Sequence, residues 1–274
     1  MSAEPRQQLA ALAALDDAQI DLARGALLIA AEGRPGVDIE RSLERLDALA
    51  DALRPGFDAQ SDAAAAARLC DFLFREHGFA GNPDDYYDPH HSFLDQVLER
   101  RSGLPITLSI VWIEVARRLG VDARGVGFPG HFLVRAGTDP GLIVDPFHGH
   151  VATHDHCQGL LRAALGQQAS LRPEHLAIAG PRQILVRILS NLKQLYSERG
   201  EWEAALACVD RILLLVPNAL LELRDRGLLY ARLECYRAAL TDLERFAELA
   251  GGARLSATFL EALEALRGHT GQLH

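Results

Sequence analysis

The stretch Arg101–Phe147, RSGLPITLSIVWIEVARRLGVDARGVGFPGHFLVRAGTDPGLIVDPF, decides the fold. Gly103 breaks what precedes it, and Pro105 suits the first turn of a helix, where its missing N–H costs nothing. From Pro105 to Leu119 the chain is apolar nearly all round, through Ile106, Leu108, Ile110, Val111, Trp112, Ile113, Val115 and Ala116. A helix without a polar face belongs in a core. Arg117 and Arg118 complement the negative end of its dipole, and Gly120 supplies a left-handed cap. Three strands are expected next, at Ala123–Gly127, His131–Ala136 and Leu142–Asp145, with Gly/Pro turns between them. If His131–Arg135 is extended, His131, Leu133 and Arg135 share one face.

Working upstream, helices are expected over residues 5–32 (broken near Asp16–Asp17), Asp38–Leu53 and 61–77. In the second, Leu43, Leu46, Leu49 and Leu53 recur at three- and four-residue steps with charges opposite. Phe79–Pro89 reads as a polar loop. Ser92 reads as the cap of a short helix over Phe93–Arg100, with Asp95 at its third position.

Downstream, Tyr196, Trp202, Ala205 and Leu206 are matched by Tyr230, Tyr236, Ala239 and Leu240, each 34 residues on. That period, with small Ala at helix contacts, is the tetratricopeptide signature. Pro217–Asn218 closes the first repeat. Two repeats expose their ends, so a flanking helix such as Ser256–Arg267 is expected to cover one.

The runs YYDPHHSFLDQVLERRSGLPITLS (86–109), GFPGHFLVR (127–135) and VDPF (144–147) resemble the SirB1 family, and the resemblance covers nearly the whole chain. It implies an α+β fold: a helix-rich transglutaminase-like (papain-like) domain with a small antiparallel sheet over residues 1–180. An all-α tetratricopeptide region over residues 181–274, two repeats plus a C-terminal helix, would follow. In that superfamily a Cys at the helix N-terminus attacks, a His acts as base, and a third group orients the His. His131 and Asp145 match base and orienter. The nucleophile's place, about fifteen residues before Gly120, falls on Pro105, and no Cys lies between Cys70 and Cys157. Proline also removes a backbone N–H that could hold an oxyanion. The family usually carries Asn at the positions of His91 and His148. The resemblance thus implies a degenerate, non-catalytic domain joined to a partner-binding repeat surface.

Other readings stay open. Thr107 and Ser109 could replace the missing thiol in a hydrolase or acyltransferase using His131 and Asp145, or could bond back to helix carbonyls. His148, His150, His154 and His156, with Cys157 beside them, could serve a metal-dependent enzyme, although their spacing matches no defined site. No cofactor is expected. Asp84, Asp85, Tyr86, Tyr87 and Asp88 could line a groove beside His131, and Trp202 and Tyr236 are binding candidates on the repeats. The partner would be a protein or peptide held by the repeats or by the cleft.

Composition narrows the classes. A net charge of −9, from 28 basic and 37 acidic residues, leaves no basic stripe for nucleic acid. No apolar run reaches the ~18 residues that span a bilayer. No signal-peptide pattern opens the chain, and the four Cys show no CxxC pair. A cytoplasmic protein without membrane or nucleic-acid partners is expected.

Overall fold

The computed structural model describes residues 3–57, 61–82, 88–138, 140–251 and 255–271. Asp84, Asp85, Tyr86 and Tyr87 lie outside the described residues. The chain divides into two compact units, Met1–Ile188 and Leu189–His274.

The first unit opens with α1 (Ala3–Ala13), α2 (Leu22–Gly33), α3 (Ile39–Leu53) and α4 (Asp62–Cys70). Asp21, Asp38 and Ser61 cap the last three, each accepting from the backbone N–H three residues on. A wider π turn, Asp71–Glu76, prolongs α4. Strand β1 (Ala80–Gly81) and helix α5 (Leu94–Arg100) follow, then β2 (Ser102–Gly103), which pairs parallel to β1. The expected loop over 79–89 thus contains a strand. Two-residue bridges have no period to read.

Ser92 does not cap α5. It ends a short 3-10 turn, Pro89–Ser92, that Asp88 starts by accepting from the His90 N–H at 3.0 Å. Phe93 takes the cap position without a side-chain bond, and Asp95 instead pairs with Arg34 at 2.7 Å.

Helix α6 (Pro105–Arg118) is the core helix, with Pro105 in its first turn and every residue from Pro105 to Ala116 buried. It packs against α2, α3 and α5, and against β3 (Ala123–Val126) and β4 (Leu133–Ala136). These two strands join β5 (Leu142–Asp145), β6 (His150–Val151) and β7 (Ile178–Ala179) in one sheet of order β6-β5-β4-β3-β7, antiparallel throughout. Alternation splits the sheet's side chains between two faces. Val126, Leu133 and Ile143 pack on Cys157 and Leu161 of α7 (His154–Leu165). Asp145 is two residues on from Ile143 and therefore projects from the same face.

Helix α8 (Pro181–Glu198) crosses from one unit to the next. In the first unit its Leu185 approaches α2 so closely that a Cβ on Gly25 would meet Leu185 Cδ1 at 2.6 Å. The second unit continues with α9 (Trp202–Leu215), α10 (Leu220–Arg232), α11 (Tyr236–Ala250) and α12 (Ala257–Gly271). The 34-residue period is visible in its turns. Glu201 N–H donates to Tyr196 O at 2.9 Å, and Cys235 N–H to Tyr230 O at 2.9 Å. Ala205 and Ala239 are both fully buried. Gly227 lets α10 close on Leu243 of α11. Leu263 and Leu266 of α12 cover Ala239 and Leu243, as an end-capping helix must.

Candidate functional site

Local sequence places His131. Its backbone N–H donates to Phe128 O at 3.1 Å, closing a turn over Phe128-Pro129-Gly130-His131. Pro at the second place and Gly130 at φ +65° in the third match a type II turn. The strand expected from His131 therefore starts only at Leu133. His131 belongs to the turn, and its direction follows the turn rather than strand alternation.

Asp145, at the end of β5, is fully buried. Its Oδ1 accepts from the backbone N–H of Phe147 at 3.0 Å and of His148 at 3.2 Å. Three imidazoles converge on the same carboxylate. His131 Nε2 lies 3.0 Å from Oδ1 and 3.1 Å from Oδ2. His148 Nδ1 and His156 Nε2 each lie 2.8 Å from Oδ2. Burial alone pushes the Asp145 carboxyl up. The hydrogen bond and charge of His131, with the hydrogen bonds of His156 and His148, outweigh it and hold the group well below the usual carboxylate range.

The His131–Asp145 contact has the geometry of the base–orienter contact of a nucleophilic triad. With Nε2–H given to Asp145, Nδ1 keeps the lone pair. Among the described residues, Asp145 is the one hydrogen-bond partner of the ring. Phe147 stands edge-on to it, with centroids 5.8 Å apart. Gly81 makes room for Phe147, because a Cβ there would run into the phenyl ring.

Hydroxyls at the start of α6 are engaged elsewhere. Ser109 Oγ donates to Pro105 O at 2.7 Å, and Thr107 Oγ1 donates to His91 O at 2.7 Å. Both residues are fully buried. Leu104 takes the N-cap position of α6 without a side-chain bond, and the Ser102 hydroxyl faces His91 Nε2 at 3.3 Å. Burial pushes Cys70 up to about 12, and burial followed by the Asp145 charge raises Cys157.

The remaining expected residues are dispersed. His150 is exposed, and its ring lies 4.7 Å from that of His156. His154 points away to solvent beside Asp155, 3.7 Å off. So the histidine run splits: His148 and His156 join Asp145, while His154 does not. Asp88 bonds His90 Nδ1 at 2.6 Å. Trp202 is half-buried under the Arg232 guanidinium, 5.5 Å from its ring centre. Tyr236 is half-buried against Ala239, Leu243, Leu263 and Leu266. The union of Asp145 with His156 had no sequence signal, because a turn, a strand and a helix start separate them. Gly81 likewise carried none.

The sequence profile of the transglutaminase-like superfamily matches residues 40–190, and that of the tetratricopeptide repeat matches residues 192–265. A UPF0162 protein of Xylella fastidiosa is 43% identical over 250 residues, covering 87% of each chain. A UPF0162 protein of Pseudomonas aeruginosa is 36% identical over 242 residues, 88% of each. Protein SirB1 of Salmonella typhimurium is 31% identical over 183 residues, 66% of this chain and 68% of that one. With the core helix, the five-stranded sheet and the repeats in this order, the chain belongs to the SirB1/UPF0162 family, a transglutaminase-like domain followed by tetratricopeptide repeats.

Proposed function

We propose that this protein is a non-catalytic interaction protein, in which a degenerate transglutaminase-like domain accompanies a repeat surface that binds a protein or peptide partner. One observation carries the reading: Pro105 fills the first turn of α6, where the family resemblance expects the superfamily's nucleophile. It brings neither a reactive atom nor a backbone N–H to the helix's positive end. The back-bonded Thr107 and Ser109 support the same reading against a hydroxyl nucleophile.

On the repeats, Leu221 and Leu228 stand seven residues apart on α10, on one helix face, 61% and 43% exposed. Exposed apolar positions at this spacing suit a partner helix or extended segment. Two measurements test the proposal. Wild type and His131→Ala are expected to hydrolyse activated esters and amides equally slowly, at the background rate. A wild-type rate well above that of a folded His131→Ala variant would show a working nucleophile and end the non-catalytic reading. Leu221→Asp with Leu228→Asp is expected to abolish capture of the partner that wild type retains, whereas His131→Ala keeps it.

A further inference from the structure

Asp145 is oversubscribed. A carboxylate offers about four lone-pair sites. Here two backbone N–H groups and three imidazoles compete for them, and all three rings crowd Oδ2, at 3.1, 2.8 and 2.8 Å. Ligand atoms of His131, Asp145 and His148 all lie within 4.8 Å of one another. His156 approaches from α7 on the same oxygen. Imidazole nitrogen and carboxylate oxygen together are a donor set for borderline transition metals rather than for calcium or magnesium.

We propose that His131, Asp145, His148 and His156 bind one divalent transition-metal ion of the zinc class. An ion about 2.0–2.2 Å from each donor spaces tetrahedral ligand atoms by roughly 3.3 Å. The rings at 2.8 Å therefore retreat from Oδ2 by about half an ångström, and His156, which lies outside the 4.8 Å shared by His131, Asp145 and His148, moves in from the first turn of α7 to complete the set. Their lone pairs then face the ion, and the backbone N–H groups of Phe147 and His148 keep Oδ1 and orient the carboxylate.

The four donors come from separate pieces of chain: the Phe128–His131 turn, the end of β5, the turn after it, and the first turn of α7. A set of four protein ligands is closed, which is the arrangement of a structural ion rather than a catalytic one. The ion would tie α7 to the sheet edge. This goes beyond the interaction role proposed above and stands or falls separately, because its readout is metal binding.

The test uses the full chain without an affinity tag, stripped with EDTA and dialysed free of chelator. Zn²⁺ is titrated by calorimetry and Co²⁺ by visible absorption. One equivalent per chain is expected at a dissociation constant near or below about 1 μM. Co²⁺ should show the intense bands of four-coordination. His148→Ala and His156→Ala, whose side chains are 44% and 24% exposed, should each weaken binding at least ~10-fold. Circular dichroism selects the variants that fold, and either one suffices. His154→Ala should bind as wild type does. Absence of one-equivalent binding, binding unchanged in a folded His148→Ala or His156→Ala variant, or equal loss in His154→Ala would overturn the site.

Discussion

Lys193 places its ammonium between Glu222 Oε2 and Asp225 Oδ2, at 2.8 Å from each, with all three side chains largely buried. Burial raises Asp225, but the Lys193 and Arg224 bonds outweigh it and leave the carboxyl below its usual range. A depressed folded value means the contribution is present above the unfolded pKa near 4 and is lost as pH falls further. Lys193→Met removes the ammonium from Glu222 and leaves Asp225 with Arg224 alone, and is expected to cost about 1–3 kcal/mol at pH 7. Urea melts should show that deficit shrinking below about pH 4. A deficit that stays constant with pH would show that lost packing, not charge, is responsible. At this scale the sequence spoke through types rather than partners. His131 and Asp145 were legible as a pair from GFPGHFLVR and VDPF. That His148 and His156 would join them, and His154 would not, depended on where β6 and α7 begin.

Elements were legible wherever a period ran long. The all-apolar run behind Pro105 read as a core helix, and α6 is buried through Ala116. The repeats read from four matched positions, and their turns superpose in hydrogen bonding. One position breaks that match. Gly200 takes φ +72°, as a glycine readily does, but 34 residues on Glu234 takes φ +58°. A left-handed non-glycine residue costs roughly 1–2 kcal/mol. Glycine's extra freedom in the unfolded chain returns part of that. Glu234→Gly is therefore expected to stabilise the protein by about 0.5–1 kcal/mol, read as a higher urea midpoint with an unchanged slope. A lower midpoint would mean that the Glu234 side chain contributes more than its backbone costs. The short elements were not legible. β1 and β2 span two residues each, and the 3-10 turn at Pro89–Ser92 displaced the cap expected at Ser92.

In the whole molecule, α8 contributes to the first unit. Ile184 and Leu185 are buried, Leu185 lies against Gly25 of α2, and Ile184 lies beside Gly125 of β3. Arg182 donates to Ala13 O at 2.9 Å and Leu15 O at 2.6 Å. Burying two large aliphatic side chains is worth about 3–6 kcal/mol. A fragment ending at Gly180 is accordingly expected to unfold at a lower urea concentration than one ending at Glu198. Equal midpoints would show that α8 adds nothing to the first unit. The chain's own pattern determined that there is a core helix, a small antiparallel sheet and a pair of 34-residue repeats. Period, punctuation and apolar content are local quantities, and these elements follow from them. Tertiary structure alone decided that His148 and His156 join the His131–Asp145 pair: a turn, a strand end and a helix start place three imidazoles on one buried carboxylate. Such convergence is set by how elements pack, and no spacing along the sequence encodes it.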